Sequence, residues 1–139
     1  ALKAYRLLLQ KQHDLNHRAP YLLRIAQIDY ALARTHTVSE RNQKYVRHAL
    51  DQLKKLSATT LSAMLRLNSL ELRGDIYHDY FNDADRAVSF YNAALKINPD
   101  HRVSDNIRLK LAKVYLEKND LPQAQTFYMQ VRSRAYLHP

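Results

Sequence analysis

The sequence predicts an all-α protein: a right-handed superhelix, or solenoid, of about seven helices paired into antiparallel hairpins. Three observations carry this. The 139 residues include one Gly and four Pro, and helix interiors tolerate neither, whereas sheets need Gly-rich turns. Apolar residues recur at spacings of three and four. The C-terminal part of the chain also resembles itself at 37 to 38 residues.

The spacing places helices over about 1–13, 20–35, 39–57, 60–80, 84–97, 104–118 and 121–136. Pro20 suits a helix start, where its missing N–H costs nothing. Thr37 and Ser39 stand where an N-cap would open the third helix, and Asn82 and Asp83 where one would open the fifth. Pro99 and Asp100 stop the fifth helix. Asp120 precedes Leu121-Pro122, a cap followed by proline in the first turn.

Laying the last two helix pairs over each other matches Ala87 with Ala124, Tyr91 with Tyr128 and Ala94 with Val131, each 37 apart. Gly74 matches Ala112 and Tyr77 matches Tyr115, each 38 apart, so one residue is inserted before Ala87. Small falls on small and aromatic on aromatic, the mark of stacked helix hairpins. Small residues at a helix crossing let the backbones approach to about 8–10 Å. The tyrosines one turn away fill the space between hairpins.

These residues resemble the tetratricopeptide repeat family. "AVSFYNAALKINPD" carries the second half of its motif in Ala87, Tyr91, Ala94, Leu95 and Pro99, with Gly74 and Tyr77 from the first half. The last repeat offers Leu111-Ala112, Tyr115, Ala124 and Tyr128, and departs at Arg132 and Tyr136. The resemblance implies one array over 1–139. Residues 1–19 read as the second helix of a truncated repeat and 20–58 as a degenerate hairpin. Residues 60–100 read as one repeat and 104–139 as another, terminal in character. Further repeats of a longer parent chain are implied as neighbours.

Composition limits the chemistry. Cys is absent, so disulfides and thiolate metal sites are excluded. No apolar run approaches the ~20 residues that cross a bilayer. With one Gly there is no Gly-rich phosphate loop, and no spacing suggests a catalytic triad; an enzyme is not expected, and no cofactor is implied. His13 and His17 have the four-residue spacing that can chelate a metal, but read as two solvent histidines. Asp75, Asp79, Asp83 and Asp85 could suggest a calcium loop, yet the mid-loop Gly is missing and Phe90 stands where the last ligand belongs. A turn capping the next helix is the better reading, and no metal site is expected.

The net charge is +9, and residues 1–66 hold 12 basic against 4 acidic residues. Arg41, Lys44, Arg47, Lys54 and Lys55 surround a stripe of Val46, Ala49, Leu50 and Leu53. That face is either a solvated outer surface or a grip for a polyanion such as nucleic acid, acidic polysaccharide or anionic lipid.

Tetratricopeptide arrays bind partners in a concave groove lined by the first helix of each pair. The resemblance places Asn68, Glu71, Asp75, His78 and Asp79 there from one helix, and Asn106, Leu109, Lys113, Leu116 and Glu117 from the next, with Tyr30 as a further anchor. The Lys and Asn that grip acidic chaperone tails in one subclass are replaced by Glu71 and Asp75, which speaks against that partner. The expected function is a non-enzymatic scaffold docking a peptide or helix of another protein. The same fold also suits a sensor or oligomerisation module of a multi-domain bacterial transcription regulator. Compartment is open.

Overall fold

The computed structural model describes residues 2–11, 15–35, 40–59, 62–98 and 102–137. Among them lie seven α-helices and no strand: α1 (Leu2–Lys11), α2 (Leu15–Thr35), α3 (Glu40–Thr59), α4 (Ala63–Asp75), α5 (Ala84–Ile97), α6 (Arg102–Glu117) and α7 (Leu121–Leu137). α4 runs on into one π-helical turn, Ile76–Tyr80. The helices pair as α2 with α3, α4 with α5 and α6 with α7, and the pairs stack through α3–α4 and α5–α6. α1 lies against α2, with the Tyr5 and Tyr21 ring centroids 6.3 Å apart. The result is an all-α helical repeat, as the periodicity indicates.

Two cores follow from the pairing. Leu22, Leu23, Ala26 and Tyr30 of α2 meet Val46, Ala49, Leu53 and Leu56 of α3. Ala87, Tyr91 and Ala94 of α5 share the second core with Ile107, Leu111 and Val114 of α6. α4 joins them, giving Leu67 to the second core, while Ile76 of the π turn enters the first.

The small residues act where helices come close. A Cβ on Gly74 would stand 2.4 Å from Cε1 of Tyr91. That ring is 1% exposed, and its hydroxyl donates to Asp75 Oδ1 at 2.7 Å. Beside it the repeat reappears as stacked rings. Tyr77 and Phe90 have centroids 5.3 Å apart, and Tyr115 and Phe127 5.8 Å.

Both turns inside these pairs use Asn then Asp. Asn82 and Asn119 take left-handed backbone, φ 51° and 59°, which Asn tolerates better than most residues. The following Asp83 and Asp120 accept hydrogen bonds from the amides of Arg86 and Gln123 at 3.0 and 3.2 Å, capping α5 and α7. After α6 the amides of Asn119 and Asp120 close on the carbonyls of Leu116 and Tyr115, a Schellman ending. After α4 the matching hydrogen bond spans one residue more: the Asp83 amide reaches back to the Tyr77 carbonyl. The inserted residue is absorbed by the π turn, so the rings and caps on either side keep their register.

Several boundaries differ from the expected ones. Pro20 does not open its helix; α2 starts at Leu15 and carries Pro20 inside it. Proline there removes the amide that would bond the carbonyl of residue 16 and crowds the turn before it. Burial of Ala19, Leu22 and Leu23 on either side offsets that cost. At the fifth helix the cap is Asp83, and Asn82 supplies the left-handed bend before it. Thr37, Ser39, Pro99, Asp100 and His13 lie outside the described residues.

Candidate functional site: a polar seam across the first helices

The first helices of the three pairs are joined by one polar seam. From α2, the Tyr30 hydroxyl donates to the Asp75 carbonyl at 3.3 Å and to Asp79 Oδ2 at 3.4 Å. In the π turn, His78 Nδ1 meets Asp79 Oδ1 at 2.7 Å, and its Nε2 meets Glu117 Oε2 of α6 at 2.5 Å. Lys110 of α6 donates to Glu71 Oε1 at 2.7 Å and to Asp75 Oδ2 at 2.8 Å. Asp75 is the hub, bound also by Tyr91 from behind.

The electrostatics follow from these partners. Burial disfavours charge on His78, but hydrogen bonds to Glu117 and Asp79 outweigh it and raise its pKa. A ring meeting an acceptor at both nitrogens donates from both only as imidazolium. Burial likewise opposes the Lys110 ammonium, and hydrogen bonds to Asp75 and Glu71 overcome it, raising its pKa. Burial, with Asp79 next to one and Asp75 next to the other, pushes the Tyr30 and Tyr91 phenols up. Both phenols therefore stay protonated as donors.

The residues expected on this face fall into two groups. Glu71, Asp75, His78, Asp79, Glu117 and Tyr30 are drawn into the seam, and Tyr30 is 5% exposed. Its ring is a buried strut that aims Asp79. Leu109 and Leu116 stand out at 40% and 43% exposure. Asn106 and Lys113 are exposed with them, and Asn68 is half-buried. Four carboxylates against two cations make the centre of the seam acidic within a basic chain.

The basic face of α3 is separate. Lys44, Arg47, Lys54 and Lys55 are all exposed, and the side chain of Arg41 lies outside the described residues. Beside Arg47 a cavity of about 530 Å³ opens between α3 and the π turn, lined by Val46, Tyr80 and Phe81 among others.

Sequence reasoning missed three things. Lys110 ties α6 to α4, and nothing in its spacing marks it out from other lysines. Asp29 is wholly buried on α2 and paired with His48 of α3; an Asp inside an apolar stripe was the available sign. Phe81 is 46% exposed beside the cavity, and a large apolar residue in a turn was the sign there. Among the described residues no group of three or more His, Cys, Asp or Glu could hold a metal ion. Asp75, Asp79, Asp83 and Asp85 are each engaged within the protein. No described helix is long and apolar enough to cross a membrane.

A tetratricopeptide repeat family model matches residues 81–138. Searches of curated proteins and of solved structures return no match.

Proposed function

We propose that the face built by α2, α4 and α6 docks a peptide or helix of another protein, without catalysis, a reading supported by the match of a tetratricopeptide repeat family model to residues 81–138. The observation that carries this reading is the pairing of a preformed seam with the exposed Leu109 and Leu116 beside it. The seam is pre-organised because its hydrogen bonds cross three helices, so little ordering is lost on binding. The two leucines offer apolar anchors, with Asn106, Lys113 and Asn68 as polar neighbours. The outer edges of the Asp79 and Glu117 carboxylates, 40% and 48% exposed, accept hydrogen bonds. The partner segment therefore carries aliphatic side chains next to N–H donors such as Lys, Arg or amides.

The test is capture from nuclease-treated source-cell lysate on the immobilised chain at low and raised salt. Leu109→Ala and His78→Ala are expected to lose the proteins retained at raised salt while circular dichroism stays unchanged. Retention unaltered by both substitutions refutes the docking face.

A second reading has its own observation, the four exposed cations of α3 in the most basic part of the chain. There Lys44, Arg47, Lys54 and Lys55, with Arg41, grip a polyanion. Material bound in that way washes off steeply with salt, whereas apolar anchoring does not.

A further inference from the structure

The two junctions between successive pairs end differently. Between the second and third pairs an ion pair crosses at the loop end. Lys118, which holds the place of Tyr80 38 residues on, bonds Asp85 of α5 at 2.5 Å. Between the first and second pairs the cavity of about 530 Å³ stands instead. Gln43, Val46 and Arg47 of α3 line it, with Asp79 and Tyr80 of the π turn and Phe81 after it. Both walls belong to neighbouring pairs inside the array.

The polar groups of the lining are unevenly spent. The one carboxylate among them does not serve Arg47: Asp79 meets His78 through Oδ1 at 2.7 Å and the Tyr30 hydroxyl through Oδ2 at 3.4 Å. The Arg47 guanidinium, always charged, has no hydrogen-bond or ion-pair partner among the described residues, and neither the Gln43 amide nor the Tyr80 hydroxyl has one. The rest of the lining is apolar. Val46 is wholly buried. Tyr80 and Phe81 stand edge to face, with centroids 5.1 Å apart and 82° between their planes, and Phe81 is 46% exposed. The pair forms a corner against which a third ring packs.

We propose that this cavity binds a small aromatic carboxylic acid, with its carboxylate on Arg47 and Gln43 and its ring against Val46, Tyr80 and Phe81. A guanidinium fork matches a carboxylate with two parallel hydrogen bonds, and the amide supplies a further donor. The ring continues the edge-to-face arrangement. The volume falls in the range of small-ligand sites, about 300–1,000 Å³, and one side chain of a docked peptide does not fill it. The bound acid supplies at this junction the anion that Asp85 supplies at the next. The inference does not rest on the concave-face reading, since Leu109 and Leu116 are not in the lining. Arg47 also belongs to the basic face of α3, but a polyanion gripped there needs no ring.

The probe is 1-naphthylacetate, with 1-naphthylacetamide as its uncharged counterpart, each titrated into the full chain by calorimetry. The acid is expected to bind about tenfold tighter than the amide, the worth of a charge-assisted hydrogen bond over a neutral one. Arg47→Gln, on an exposed side chain, removes that preference. Phe81→Ser weakens both ligands by about fivefold through the lost ring contact, with circular dichroism and the binding of heparin, a polyanion, unchanged. Equal binding of acid and amide, a preference that survives Arg47→Gln, affinity indifferent to Phe81→Ser, or no binding overturns the proposal. So does a peptide ending in a free Phe carboxylate that binds tighter than the small acid, which assigns the cavity to a chain terminus.

Discussion

Gly74 shows how one missing methyl sets a helix crossing. Its α-carbon meets the Tyr91 ring so closely that a Cβ would lie 2.4 Å from Cε1. The ring has no room to yield, being wholly buried and tied to Asp75. The matching position in the next repeat is Ala112. Gly74→Ala gains helix propensity worth up to about 1 kcal/mol but overpacks the crossing by about 1–3 kcal/mol. The variant is therefore expected to be less stable by about 1–2 kcal/mol, read as a lower urea midpoint at unchanged slope. An equal or higher midpoint would contradict the close approach. Tyr30 makes the complementary point: it was expected as an anchor for a partner in the groove, and its ring instead lies in the first core. Burial decided that, because the hydroxyl finds Asp79 only from inside.

At the scale of the element, the two Asn-Asp turns were legible as turns, and their different widths were not. The one-residue insertion could be counted from the 38-against-37 spacing. Counting does not say where a chain takes up an extra residue, since a wider loop and a π turn both restore the register. Packing chose the π turn, which keeps Ile76 in one core and Tyr77 stacked on Phe90. The caps are local and independent of that choice. Asp83→Ala and Asp120→Ala each remove an acceptor for a first-turn amide, and each is expected to cost about 1 kcal/mol. The two caps share no partner, so the double variant should show the sum within about 0.5 kcal/mol. Calorimetry on the three variants checks this. Pro20 shows the opposite case, a local signal overridden: proline reads as a helix start, but apolar residues on both sides of it are buried, and continuing the helix through it keeps them in one core.

Across the whole molecule, the links between pairs are polar on one face and apolar beneath it. His78 is the link that titrates. Its pKa is raised in the folded protein from the ordinary 6.5, so folding favours the protonated ring. The stability this contributes is fully present below about pH 6.5 and falls away as pH rises through the higher folded value. Urea unfolding from pH 6 to 9 is expected to show that loss, and His78→Gln is expected to remove this component of the pH dependence. A profile identical in the two proteins would mean that the imidazolium is not held by Glu117 and Asp79.

The sequence by itself determined the all-α class, the helix pairs from residue 60 onward, the small and aromatic positions of the crossings, and the caps at Asp83 and Asp120. Each of these depends on residues within one or two helical turns of one another, or on a period that can be counted. The tertiary structure alone decided which acids of the first helices are spent on Lys110, His78 and Tyr30, and where the inserted residue went. The ties between helices join residues 35 to 49 apart in the chain, and a pairing across such a distance is set by how the helices stack.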